Sequence, residues 1–174
     1  MSGHSKWSQI KNKKNVTDQK RGQVFSKLLR AISIAAKQEP NPDFNPRLRS
    51  TIQKAKDSNV PNENIQRAIS KAAETKDLEE LALEAYGPEA TPIIIEVVTD
   101  NRNRTINELR ILLSANNAKL ADQGSVLWAF EKVDGEWHAK FPQPASEETK
   151  QKIESLKNAL EAHDDVQKVI PNTG

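Results

Sequence analysis

Apolar positions recur along this chain with two periods, and the change of period divides it. Val24, Leu28, Ile32 and Ala35 return at helical spacing, and Phe25, Leu29 and Ala36 widen the stripe. At about 100° per residue, Lys20, Lys27, Arg30 and Lys37 fall on the opposite side. The pattern predicts an amphipathic helix ending at about Gln38. Thr17 or Asp18 would cap it, since either side-chain oxygen can accept from the open N–H groups. Arg21 lies on the apolar side, and Ile34 lies among the lysines, where a neighbouring element is expected to cover it. Ahead of this helix, Met1 to Val16 offers little apolar content beyond Trp7 and Ile10. It reads as a mobile arm with one helical turn around Ser5 to Lys11.

Pro40, Pro42 and Pro46, with Asn41, Asp43 and Asn45, form a turn region. Asn45 before Pro46 is a helix start: a cap residue, then proline at the first helical position. Leu48, Ile52 and Ala55 give that helix its apolar face, ending near Asn59. Pro61 and Asn62 restart the chain, and Ile65, Ala68, Ile69, Ala72 and Ala73 make a third short helix. None is apolar enough to stand alone, so the three must share a core.

From Leu78 the period shortens. Residues 92–99 are rich in β-branched side chains and follow the Gly87-Pro88 turn, which predicts a strand pairing back with the ambiguous segment 80–86 as a hairpin. Thr105 and Glu108 form a capping-box signature for a helix through Leu112 and Leu113 that stops at Asn116. Val126 to Val133 reads as a strand. Asp134-Gly135 is a hairpin turn, and Trp137, Ala139 and Phe141 alternate with polar residues. Ser146 caps a last helix, and Val166 to Ile170 closes as a strand. The succession strand, helix, strand, strand, helix, strand is the split βαβ arrangement. The expected architecture is therefore α+β: a basic arm and three-helix bundle over residues 1–77, then a ferredoxin-like antiparallel domain over 78–174 with two helices on one face of its sheet.

Charge sharpens this division. Residues 1–77 hold 16 Lys and Arg against 7 Asp and Glu, whereas residues 78–174 hold 10 against 17. The first thirty residues alone carry Lys6, Lys11, Lys13, Lys14, Lys20, Arg21, Lys27 and Arg30, with Asp18 the sole acid. So cationic a segment cannot bury itself and requires water or a polyanion beside it. Lysines supply point charges, and Arg21, Arg30, Arg47 and Arg49 can grip phosphate oxygens in bidentate fashion. Trp7 has two readings, a platform for an unpaired base or a core residue pinning the arm. His4 has two as well, a polar contact or plain exposure. Arg102 and Arg104, beside a helix start, either form a second anion site or pair with nearby acids while Asp100, Asn101 and Asn103 serve turn and cap.

Several classes drop out. No apolar run approaches the roughly 18 residues of a membrane span, and no apolar stretch follows the basic start as a secretory signal requires. The chain has no cysteine, which excludes disulfides and thiolate metal sites; a cytoplasmic protein is the simplest reading. His4, His138 and His163 are far apart and lack ligand spacing. No nucleophile–base constellation, phosphate-cradling glycine loop or cofactor motif is evident. Nor does any predicted helix present Asn, Gln and Arg at groove-reading spacing.

Seven segments, in order, resemble the YebC/PmpR family: Gly3-His4-Ser5-Lys6-Trp7, Lys20-Arg21-Gly22, Asn45-Pro46-Arg47-Leu48-Arg49, Tyr86-Gly87-Pro88, Thr99-Asp100-Asn101-Arg102-Asn103-Arg104-Thr105, Gly124-Ser125-Val126 and Asp164-Asp165-Val166-Gln167. The resemblance implies a cytoplasmic protein with a helical N-terminal domain and α/β domains behind it. It implies either a transcriptional regulator acting on DNA or a ribosome-associated translation factor that contacts ribosomal or transfer RNA and supports synthesis through proline-rich stretches. The family's mitochondrial relative is a translational activator of cytochrome c oxidase. The acidic half would position the basic one or meet a protein partner. Typical members insert a further α/β domain before the last helix; here only residues 131–145 fill that interval, so the third domain is expected to be absent.

Overall fold

The computed structural model describes residues 3–174, with side chains described from residue 6 onward. It contains two compact units, one ending at Thr75 and one spanning Lys76–Gly174.

The first unit is built on helix α1, Gly3–Ala36, of 34 residues. The expected arm and the expected first helix are thus one element, and the break at Thr17 does not occur. No glycine or proline interrupts residues 4–21. The Thr17 hydroxyl donates to the Lys13 carbonyl at 2.9 Å, the back-bond of a residue inside a helix rather than a cap. Scarce apolar residues mark a solvated helix here, not a loop. Packing begins at Phe25: Ile32, Ala35 and Ala36 are buried with Leu48 and Ala55 of α2 (Pro46–Asp57) and Ile65 of α3 (Asn62–Lys71). Val24, expected on the buried stripe, is exposed; Ile34 is half-buried.

Asn45 joins two of these helices. Its side-chain oxygen accepts from the Leu48 N–H at 2.9 Å and caps α2. Its amide nitrogen donates to the carbonyls of Ala35, 2.9 Å, and Glu39, 2.8 Å. One buried side chain satisfies backbone groups at the end of α1 and the start of α2, which the ends of helices otherwise leave open.

In the second unit, β1 (Glu79–Tyr86) pairs antiparallel with β2 (Pro92–Thr99) from Glu79 opposite Thr99 to Tyr86 opposite Pro92. The ambiguous segment is therefore a strand, as the hairpin reading requires. Gly87 turns the chain where a Cβ would lie 2.7 Å from the Ile93 side chain, so a larger residue would have to displace the core. Helix α4 (Arg102–Ala115) follows, then the two-residue β3 (Lys119–Leu120), the hairpin β4 (Phe130–Val133) and β5 (Glu136–Ala139), α5 (Glu147–Glu161) and β6 (Val166–Pro171). The main sheet runs β3-β1-β2-β6. Ile93, Ile95 and Val97 of β2 pack under Leu109 and Leu113 of α4 and Leu156 and Leu160 of α5, so both helices cover one face as expected.

Strand membership departs from the simple ferredoxin-like scheme. The strand expected over 126–133 is a 3₁₀ turn, Leu127–Ala129, followed by the short β4. The cause is Glu84 of β1, whose buried carboxylate accepts the N–H groups of Gly124, Val126 (2.7 Å) and Leu127 (3.1 Å). Donors held by a carboxylate cannot enter a ladder. The β4–β5 hairpin forms its own sheet, turning at Asp134 and Gly135, both with positive φ, as a type I′ turn needs. Phe130, Trp137 and Ala139 close the opposite face of the main sheet over Ile94 and Ile170.

Candidate nucleic-acid interface

From Lys6 to Gly22 every residue of α1 is exposed. Lys6, Lys11, Lys13, Lys14, Lys20 and Arg21 all stand on this solvated stretch, with Asp18 the single acid. Among the described residues, no ion pair or side-chain hydrogen bond holds any of these six cations. Lys6, Lys13 and Lys20 repeat every seven residues, so they form one column with steps of about 10.5 Å. Lysines this close repel one another in water; a row of phosphates relieves the repulsion and releases counterions.

Trp7 is 74% exposed. The core-pinning alternative therefore fails, because α2 and α3 do not reach the first turns of α1. Lys27 and Arg30 lie where packing starts; both are half-buried, and neither is without a partner. The His4 side chain lies outside the described residues. On α2, Arg47 is exposed. Arg49 donates to the Pro42 carbonyl at 3.1 Å, bracing the turn that precedes its own helix.

The Thr99–Thr105 motif is organised differently. Asn101, not Thr105, caps α4, accepting from the Arg104 N–H at 3.1 Å. Thr105 is drawn inward instead. Its hydroxyl donates to Asp165 Oδ2 at 2.6 Å and lies 2.7 Å from the Thr99 hydroxyl. Arg104 donates to the same Asp165 oxygen at 2.7 Å and to Asp100 at 3.0 Å. Asp165 is buried, so its charge needs these donors. Its hydrogen bond, then its charge, raise the Arg104 pKa above the ordinary arginine value. Arg102 lies 3.8 Å from Glu79. Of the two readings of this motif, the geometry carries the pairing one: Arg104 secures the α5–β6 turn to the head of α4 and is not held ready for an outside anion.

Sequence order concealed a further grouping. Glu108, His163 and Asp165 bring one potential ligand atom each within 4.8 Å of one another. These atoms are already engaged. His163 Nδ1 accepts the Asp165 N–H at 3.1 Å, which places the ring proton on Nε2, 2.7 Å from Glu108. Asp165 faces the Arg104 cation. The donor set therefore suits a hydrogen-bonded clasp better than a cation. The only signal for it in the sequence is the Asp164-Asp165 pair after the last helix.

Residues 5–75 match the model of the TACO1/YebC protein N-terminal domain, and residues 78–135 match that of the TACO1/YebC second and third domain. The chain belongs to the TACO1/YebC family. A probable transcriptional regulatory protein of Pelodictyon phaeoclathratiforme is 51% identical over 138 residues, covering 76% of this chain and 54% of the relative. One from Chlorobium phaeobacteroides is 52% identical over 136 residues, with the same coverage. The chain thus spans about half the length of the curated TACO1/YebC relatives it matches. A conserved hypothetical protein of Aquifex aeolicus, Aq1575, shares the fold with a TM-score of 0.80 and 31% identity, covering 90% of this chain and 91% of that one. The names of the two curated relatives denote transcriptional regulators. Among the described residues no helix is long and apolar enough to cross a membrane.

Proposed function

We propose that this protein is a nucleic-acid-binding regulator of gene expression that grips a phosphodiester backbone with the solvated half of α1. One observation carries the reading: six cations and one acid on an exposed, otherwise uncommitted helical stretch. Arg47 on α2 extends the basic surface within the same unit. The second unit, acidic overall, is unsuited to a polyanion. Two targets fit this chemistry. Ribosomal or transfer RNA, with a role supporting translation at the ribosome and through proline-rich stretches, is what the family resemblance implies. Duplex DNA is favoured by the transcriptional-regulator names of the relatives. Trp7 would add a stacking contact wherever the target offers an unpaired base.

The test is retention of the purified protein by ribosomes and by random duplex DNA across a salt series. Binding that weakens as salt rises is expected. A protein that ignores both at low salt would rule the proposal out.

A further inference from the structure

The continuity of α1 has a consequence for its uncharged side. Ser8, Asn12, Asn15, Gln19 and Ser26 follow one another at intervals of four, three, four and seven residues. At about 100° per residue they fall within roughly 60° of arc. All five are exposed, and among the described residues no hydrogen bond holds the side chains of Asn12, Asn15 or Gln19. Read as an arm followed by a separate helix, the sequence scatters these residues across a break. A single helix lines them up.

We propose that this amide face reads base edges in the major groove of B-form duplex DNA. The idea rests on the nucleic-acid reading above and names the target class of that same helix. Three features support it. First, Asn and Gln are the side chains that hydrogen-bond adenine at N6 and N7 together. Asn12 to Gln19 spans about 10.5 Å, which is about three base steps of about 3.4 Å. Second, the lysines straddle the face. Lys20 and Lys13 lie on one flank, and Lys11 and Lys14 on the other with Asp18 between them, so each flank keeps a net positive charge for a wall of phosphate. Third, a face meeting only water would hold better helix formers such as Ala, Glu or Lys; Asn and Ser favour non-helical backbone instead. Four of the five residues on this face, Ser8, Asn12, Asn15 and Ser26, are poor helix formers and none of the five is charged, which suits readout better than solvation.

The B-form major groove, about 12 Å wide, admits a helix, whereas side chains cannot read the deep, narrow major groove of A-form RNA. Splayed single-stranded bases are recognised largely by stacking on aromatic rings. The amide face itself has none; Trp7 lies about 80° round the helix from Asn15, its nearest member. The geometry therefore favours duplex DNA over either form of RNA.

The experiment is selection from a randomised duplex DNA library by the full chain, followed by affinity measurements on the enriched duplex and on the unselected pool. The variants are Asn12→Ala, Asn15→Ala and Gln19→Ala. Alanine is the best helix former, so these changes strengthen α1, and circular dichroism verifies that helicity is kept. An enriched, adenine-containing site is expected. Each variant should lose about five- to a hundredfold on that site while binding the pool as the wild type does. A Lys13→Ala, Lys20→Ala double variant should weaken both substrates alike. Duplex binding without any enriched site overturns the inference and leaves phosphate gripping intact. So does an enriched site that the alanine variants bind unchanged, or a strong preference for ribosomes or RNA over every duplex. Failure to bind any polynucleotide overturns both this inference and the nucleic-acid reading beneath it.

Discussion

Two basic segments of this chain look alike in sequence and differ in the fold. Residues 6–21 and the segment Asp100 to Thr105 each crowd cations into a short polar stretch. In the first, no ion pair among the described residues holds the cations, and Asp18 is the one acid in the stretch. In the second, Asp100, Glu108 and Asp165 lie at 3.0, 3.9 and 2.7 Å from Arg104, and Glu79 lies near Arg102. A cation's availability to an outside anion is decided by what the fold folds back against it. Asp165 comes from sixty-one residues further along the chain.

The largest way to break this contrast is to remove the acid that distinguishes the segments. Asp165→Ala should destabilise the second unit by about 3 kcal/mol, the loss expected when a buried, multiply hydrogen-bonded charge is taken away. Urea denaturation measures it. Arg104 keeps Asp100 and Glu108 as partners, so polynucleotide affinity of the folded variant should stay at the wild-type level. Asn45→Ala comes next. It deletes a cap and leaves the Ala35 and Glu39 carbonyls without their amide donor, a loss of about 2 kcal/mol that the thermal unfolding of the first unit should register. Arg102→Ala is the smallest. An exposed pair at 3.8 Å should change stability by less than about 0.5 kcal/mol, and polynucleotide binding should be unaffected; a clear loss of binding would restore this segment as an anion site.

What the sequence made legible follows the same division. The Asn45 cap with Pro46, the Ser146 cap of α5, the Asp134-Gly135 turn and the β1–β2 hairpin were all readable because each is determined by neighbours close in the chain. The basic character of α1 was readable too, since charge needs no fold to be counted. Three features were not. Thr105 passes for a cap until Asp165 draws its hydroxyl inward. Residues 126–129 pass for a strand until Glu84, some forty residues earlier, takes the N–H groups of Val126 and Leu127. The first turns of α1 pass for an arm because helical periodicity is sought among apolar residues, and here the repeating residues are lysines and amides. The last misreading also hid the alignment of the amides on one face.

The claim that the solvated half of α1 holds the polyanion is tested most directly by the salt dependence of binding to one duplex. The comparison is between wild type, a Lys11, Lys13, Lys14 and Lys20 quadruple alanine variant, and Arg102→Ala. With about 0.9 of slope for each phosphate contact on B-form DNA, the quadruple variant should lose about 3 to 4 from the slope of log affinity against log salt, and Arg102→Ala should lose nothing. A quadruple variant that keeps the wild-type slope would contradict the account.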